Sequence, residues 1–252
     1  MKAKTNEFWD CEALNALKKR SSDNYSYYVN TSYRAAVKKG LKHASPGRIR
    51  LLKTDLWNEG IETSRDILGQ YKNDSRLRLY GVDVSQKVCE MARNNIKNLK
   101  IFQGEIQDLP FNKNYFDILL DLSTLDHVSI ENAACALKEY ARVLKKDGIV
   151  VLIFWQNSFF IRKVLKKREE NGQYLFPLAR IRQGVEDEFD ILEEYCTGTL
   201  ISNPYTKILL EKLPIWICKK FSNFVLKLEY SIFSKRLLRD ISGLYVIIGR
   251  KK

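Results

Sequence analysis

Histidine is almost missing from this chain, with only His43 and His127, far apart in sequence. A histidine-based metal centre is therefore not expected. The five cysteines, at 11, 89, 135, 196 and 218, form no CxxC pair, which removes zinc-ribbon and thioredoxin-type chemistry. Their odd number points to reduced thiols in a cytoplasmic protein. No uncharged apolar run reaches the roughly 18 residues that a membrane span needs. No such run follows a basic start either, so no signal peptide is predicted. Internal repeats and low-complexity tracts are absent. Hydrophobic residues make up 45% of the 252, the proportion of a chain that buries a core.

Acidic residues are scarce in two of three regions. Residues 1–53 hold 12 Lys and Arg against 4 Asp and Glu; residues 160–252 hold 18 against 11. The middle, 54–159, is nearly balanced at 13 against 15. The net charge of +13 thus sits on the two flanks. Such flanks concentrate anionic partners, or serve simply as a solvated surface.

The pattern along the chain alternates strands and helices. Ala13, Leu14 and Leu17 mark a short amphipathic helix, and a second is predicted over Ser32–Leu41. Strands follow over 48–55, 77–84, 101–104, 115–122 and 148–155, with helices over 62–71, 85–95 and 130–144 between them. Ser85 is placed to cap its helix. The strands are nearly continuous apolar runs, as expected of a parallel sheet covered on both faces. Such a sheet binds its ligand at the carboxyl ends of the strands. There the first four strands each present an acid: Asp55, Asp83, Glu105 and Asp121.

Residues 77–153 resemble the class I S-adenosylmethionine-dependent methyltransferases, in their small-molecule branch. The resemblance is carried by LYGVDVS, QKVCEMARNN, GEIQDLPF, YFDILLDLSTLDHV and LKEYARVLKKDGIVVLI, in that order and at that family's spacing. It implies an α/β Rossmann-like methyltransferase fold, a mostly parallel seven-stranded sheet with an antiparallel last strand and helices on both faces. Residues 243–251 would be that last strand and 194–202 its partner. One domain over 1–252 is expected: a helical cap over 1–48, a cofactor-binding core over 49–155, and C-terminal strands over 156–252 with a helical insert at 203–242.

The resemblance further implies S-adenosylmethionine as cofactor. Asp83, followed by Val84, would bind the ribose hydroxyls. Glu105 would accept from the adenine amino group, and Ile106 would offer its backbone N–H and an apolar contact. Asp121 and Leu122 would lie by the methionine moiety. His127 would be a general base or substrate contact, or simply a helix-start residue; Asp121 is the other candidate base. No metal ligand is expected.

One stretch departs from the family. LLKTDLWNEG, residues 51–60, keeps the acid at Asp55 but places Leu56, Trp57, Asn58 and Glu59 where glycines would let backbone approach the cofactor. Either the loop is rebuilt, with Asn58 and Gly60 making the turn and Asp55 or Glu59 meeting the cofactor's ammonium, or the fold is a non-catalytic scaffold. Lys53 and Thr54 have no role in either reading.

The flanks suggest the acceptor: a small-molecule or glycan- or lipid-linked anionic substrate, with Tyr25, Tyr27, Tyr28 and Tyr33 forming a lid over the cofactor or, for Tyr33 and one or two others, packing a helix onto the sheet. The insert places Ile217, Phe221, Phe224, Val225, Leu228 and Ile232 at helical spacing, with Lys219, Lys220, Asn223 and Lys227 elsewhere. That face either packs on the domain or touches an anionic membrane, which would make the protein peripheral. A nucleic-acid methyltransferase is the remaining alternative. It is disfavoured because Asp121-Leu122-Ser123-Thr124 replaces the Asn/Asp-Pro-Pro-aromatic signature that amino-directed nucleic-acid enzymes carry there.

Overall fold

In a computed structural model the chain is described over residues 6–18, 23–61, 63, 66–155, 178–198, 212–229 and 243–252. The elements are α1 (Asn6–Lys18), α2 (Asp23–His43), β1 (Ile49–Lys53), a single turn α3 (Trp57–Gly60), β2 (Leu77–Asp83), α4 (Gln86–Asn95) and β3 (Lys100–Gln103). Then come β4 (Phe116–Leu122), α5 (Ile130–Val143), β5 (Leu144–Trp155), α6 (Leu178–Glu188), β6 (Phe189–Thr197), α7 (Ile215–Leu228) and β7 (Leu244–Lys251).

The seven strands form one sheet in the order β3-β2-β1-β4-β5-β7-β6. The first five are parallel, and β7 runs antiparallel to both β5 and β6. The sheet has the expected α/β Rossmann-like architecture, mostly parallel and with its last strand antiparallel to both neighbours. Alternation explains the unbroken apolar strands: Leu51, Leu120, Val151 and Ile248 enter one core, while Leu52, Leu119, Val150 and Ile247 enter the other. The first core is closed by α1, α2 and α4, the second by α5 and α6. The strand order reverses between β1 and β4, which opens a crevice at their carboxyl ends.

Several boundaries differ from the sequence expectation. Among the described residues of the 62–71 range there is no α-helix, only 3₁₀ conformation at Thr63 and Gly69–Tyr71. The amides there are used elsewhere, because the Glu59 carboxylate takes the N–H groups of Ile67 and Leu68 and Asp66 takes that of Gly69. The strand β6 begins at 189 rather than 194, since its register with β7 runs from Phe189 opposite Lys251 to Thr197 opposite Leu244. Helix α2 runs from 23 through Gly40 to 43, longer than the 32–41 predicted. Ser85 does cap α4, accepting from the Val88 amide at 3.1 Å.

The insert helix divides its residues differently from the expectation. In α7, Cys218, Ser222 and Val225 are buried and Phe221 packs against Tyr28 and Val29 of α2, whereas Phe224 is 59% exposed. Ile232 lies outside the described residues. Tyr28 and Tyr33 are buried in the cores, so they are packing residues and not a lid; the Tyr25 side chain lies outside what is described.

Candidate functional site

The crevice is a cleft of about 330 Å³, within the range of small-molecule sites. Its walls come from the ends of β1, β2 and β4, the turn after β3, the start of α5, and Trp9 of α1. Of the residues expected to bind cofactor, Asp55, Asp83, Val84, Glu105 and Ile106 line it, and so does His127. Asn58, Gly60, Asp121 and Leu122 are not among its lining residues.

The reason for each is local. Gly60 is buried against α4, where a Cβ would stand 2.8 Å from the Val88 carbonyl oxygen. It is a packing glycine: the Asn95 side chain donates to the carbonyls of Glu59 and Gly60 at 2.9 and 3.2 Å. Asn58 sits half-buried on the α3 turn, away from the opening. Asp121 is fully buried beneath the cleft. One oxygen accepts from the Thr124 and Leu125 amides and the other from the Tyr140 hydroxyl at 2.6 Å. Burial pushes its carboxyl up to about 6 against those donors. Its work is to fold the 123–125 turn and hold α5 to β4; Leu122, the next residue, is 4% exposed in the core.

The glycine-poor loop resolves into two inward turns. Leu56 points down and packs over Gly81, where a Cβ would approach Leu56 Cδ2 to 2.4 Å. A glycine in β2 thus makes the room that the β1 loop lacks. Glu59 also turns inward, to Lys53. That lysine is fully buried and donates to Glu59 Oε2 at 3.0 Å, to Asp55 Oδ2 at 2.9 Å and to the Asp55 carbonyl at 2.6 Å. All three ammonium protons have acceptors. Burial disfavours its charge, yet Asp55 and Glu59 outweigh burial and hold its pKa above the ordinary lysine value. Burial pushes the Glu59 carboxyl up while Lys53 pulls it back. Every partner of Glu59 named above is a donor, as the charged form requires. Two carboxylates on one ammonium leave a net negative charge at the end of β1, and Asp55 is the member that faces the cleft. Trp57 remains at the opening, its amide bonded to Asp55 Oδ1 at 3.1 Å.

At the end of β2, Asp83 accepts from the Leu56 amide at 2.8 Å and the Ser85 amide at 2.9 Å. A carboxylate has about four acceptor sites, so two remain for a ligand. Burial pushes this carboxyl up to about 7, with those two amides opposing. After β4, Ser123 takes a left-handed backbone at φ 74°. It is held there by its amide on the Ile153 carbonyl and by its hydroxyl on the buried Asp126 carboxylate, at 2.7 Å each. A non-glycine residue held in this conformation at a cleft wall is a common feature of functional sites.

Sequence reasoning missed Trp9, Thr54, Ser123, Thr124 and Asn132 as cleft residues. Trp9 stands edge-on to the His127 ring, with centroids 4.9 Å apart. Next to it, Asp10 accepts from the Ser85 hydroxyl and from the Lys87 amide, tying α1 to the N-terminus of α4. Among the described side chains, the N-terminal aromatic that lines the cleft is Trp9 of α1. The only sequence signal was the Phe8-Trp9 pair in an otherwise polar amphipathic helix.

Comparison with known proteins fits this geometry. Residues 59–152 match the family described as "Methyltransferase domain". Over 76 residues, 29% of this chain, the sequence is 38% identical to demethylmenaquinone methyltransferase of Staphylococcus carnosus, covering 31% of that protein. It is 33% identical over 78 residues to the uncharacterized methyltransferase YcgJ of Bacillus subtilis, covering 29% of this chain and 30% of that protein. The matches span less than half the length of these curated relatives. The solved YcgJ structure superposes with TM-score 0.55 at 18% identity, covering 86% of this chain and 98% of that one. A geranyl diphosphate C-methyltransferase from Streptomyces coelicolor, crystallised with Mg2+, geranyl diphosphate and S-adenosyl-L-homocysteine, gives 0.58 at 15% identity, covering 86% and 79%. These structural likenesses establish the shared fold.

Proposed function

We propose, from the match of residues 59–152 to the methyltransferase domain family and the Rossmann-like sheet beneath the cleft, that this protein binds S-adenosylmethionine and methylates a small-molecule or glycan- or lipid-linked acceptor. The observation that carries the reading is the fate of Leu56 and Glu59. Both turn inward, so the cleft stays open without the usual glycines.

The residues present fit this cofactor. Asp83 has acceptor sites left for two ribose hydroxyls. Glu105 and the buried, cleft-lining Ile106 would take the adenine edge and face. Asp55, carrying the excess charge of the Lys53 cluster, suits an ammonium group. When bound, S-adenosylmethionine supplies a methyl group already activated on a sulfonium, so the protein's task is positioning. Trp9 and Trp57 line the cleft and would help keep water from a bound cofactor. For a hydroxyl acceptor, His127 is the assigned base, because it lines the cleft whereas Asp121 is spent on Tyr140.

Titration calorimetry of the full chain tests the reading. Heat of binding is expected with S-adenosylmethionine and with S-adenosylhomocysteine. No heat and no thermal shift with either at millimolar ligand would leave a non-catalytic scaffold.

A further inference from the structure

Helix α7 is amphipathic in an unusual sense. Its inner face is buried on α2 through Cys218, Phe221, Ser222 and Val225. Its outer face is not the plain polar surface such a helix normally presents. Trp216, Lys220, Asn223, Phe224 and Lys227 recur at spacings of three and four residues and are all exposed, with Lys219 beside them. Trp216 is 60% and Phe224 59% exposed, and Lys220 lies over the Trp216 ring at 5.8 Å. From Lys212 to Leu228 there are four lysines and no carboxylate. The whole 203–242 insert has eight basic residues and three acidic ones.

We infer that this outer face of α7 docks on an anionic lipid bilayer, with Trp216 and Phe224 entering the interface and Lys219, Lys220 and Lys227 meeting lipid phosphates. The chemistry fits a lipid surface. Bulky aromatic side chains gain little in water but reach the acyl boundary, while lysines on long stems keep their charge among headgroups. Positive charge without an interspersed acid complements an anionic leaflet, at roughly tenfold or less per lysine.

The anchorage of α7 gives this docking a direction. Glu229, just past its end, is buried and accepts from the Thr197 hydroxyl at 2.8 Å and the Gly198 amide at 3.1 Å. Thr197 closes β6, which runs parallel to β1 and β4, so this end of α7 is fixed at the sheet edge that holds the cleft. A bilayer under α7 would lie near the cleft edge, where a lipid-linked acceptor would arrive. That consequence rests on the proposed methyltransferase activity; the docking does not.

Flotation of the full chain with phosphatidylglycerol–phosphatidylcholine vesicles tests it, with pure phosphatidylcholine as comparison and calorimetry with S-adenosylmethionine alongside. The chain should float with the anionic vesicles and stay below with the neutral ones. The triple variant Lys219→Gln/Lys220→Gln/Lys227→Gln should lower the partition roughly a hundredfold. Trp216→Ser/Phe224→Ser should lower it further at high salt, where only the apolar contribution remains. Both variants keep the buried Cys218, Ser222 and Val225 and lose at most the exposed contact of Lys219 over the Tyr27 ring at 5.6 Å, so they should fold and retain any cofactor heat. Equal recovery below both vesicle types overturns the docking. So does partition unchanged in both variants, or loss of vesicle binding in favour of mixed-sequence RNA or of self-association through this face. Cofactor heat without flotation removes the docking and leaves the methyltransferase reading; flotation without cofactor heat does the reverse.

Discussion

The two ends of the cleft are built from different materials. At the β2 and β3 end, Asp83, Glu105 and Ile106 line the cleft, and backbone amides orient the Asp83 carboxylate. At the β1 end, a fully buried lysine gathers Asp55 and Glu59 and folds the loop inward. One end relies on motif residues and backbone donors. The other relies on a buried ion cluster that no short motif specifies. The lesson is that a glycine-poor loop can be accommodated by compensation elsewhere. Here the space comes from Gly81 in β2, and the anchoring comes from a charge under the sheet edge.

The β1 end should be the more fragile, and the largest effect tests that. Lys53→Met strands two carboxylates, one of them with no exposure, and should cost about 3–5 kcal/mol in urea unfolding. Adding Glu59→Gln should recover most of this, because an amide oxygen still accepts from Ile67 and Leu68 without a buried charge. A loss below about 1 kcal/mol would mean the cluster behaves like a solvated surface pair.

The β2 end should instead lose affinity. Asp83→Asn should weaken S-adenosylmethionine binding by about 1.5–3 kcal/mol, the scale of charge-assisted hydrogen bonds. Calorimetry across pH sharpens the point. With its carboxyl near 7, Asp83 is protonated below neutrality, so affinity should fall by up to about tenfold per pH unit below pH 7 and become flat in the Asn variant. The contribution of this group to apoprotein stability has the opposite sign. Between about pH 4 and pH 7 the native state holds a proton that the unfolded chain has released, so that contribution declines as pH rises; Asp121, near 6, adds in the same direction. Cofactor affinity that is flat from pH 5 to 8 in the natural chain would break the assignment.

Gly81→Ala joins the two ends. The new methyl collides with Leu56, should cost about 1–3 kcal/mol, and should press Leu56 toward the cofactor, lowering affinity as well. Leu56→Ala in the same chain should restore both; failure to do so would show that Leu56 does not owe its place to Gly81. The smallest effect is expected from Asp10→Ala, about 1 kcal/mol from the lost acceptor at the start of α4. Cofactor affinity should change more than stability if α1 covers the cleft.

The core strands and α4, α5 and β7 were legible in the sequence, because a strand buried on both faces leaves a continuous apolar run and a capped helix leaves its serine. The helix expected over 62–71 was not, because the backbone amides of Ile67 and Leu68 donate to a side-chain acceptor several residues away, the Glu59 carboxylate. Asp121 shows the same limit from the other side. Its position by a strand end looked functional, but its oxygens are consumed by Tyr140 and two amides. Phe224 of α7 was grouped on one face with Phe221 and Val225, yet it points outward, because 3.6-residue periodicity cannot say which side of a helix with two aromatic faces finds a partner.

By itself, then, the sequence determined the alternation of elements, the sheet class and the acids at the strand ends, all of which follow from local periodicity and chemical type. Only the tertiary structure decided which of those acids face the cleft, that Lys53 is the hidden counter-ion of the β1 loop, and that Trp9 lines the cleft. Each of these depends on where atoms distant in sequence come within a few ångströms. Burial, hydrogen-bond satisfaction and charge pairing are fixed at that range, and no spacing along the chain encodes them.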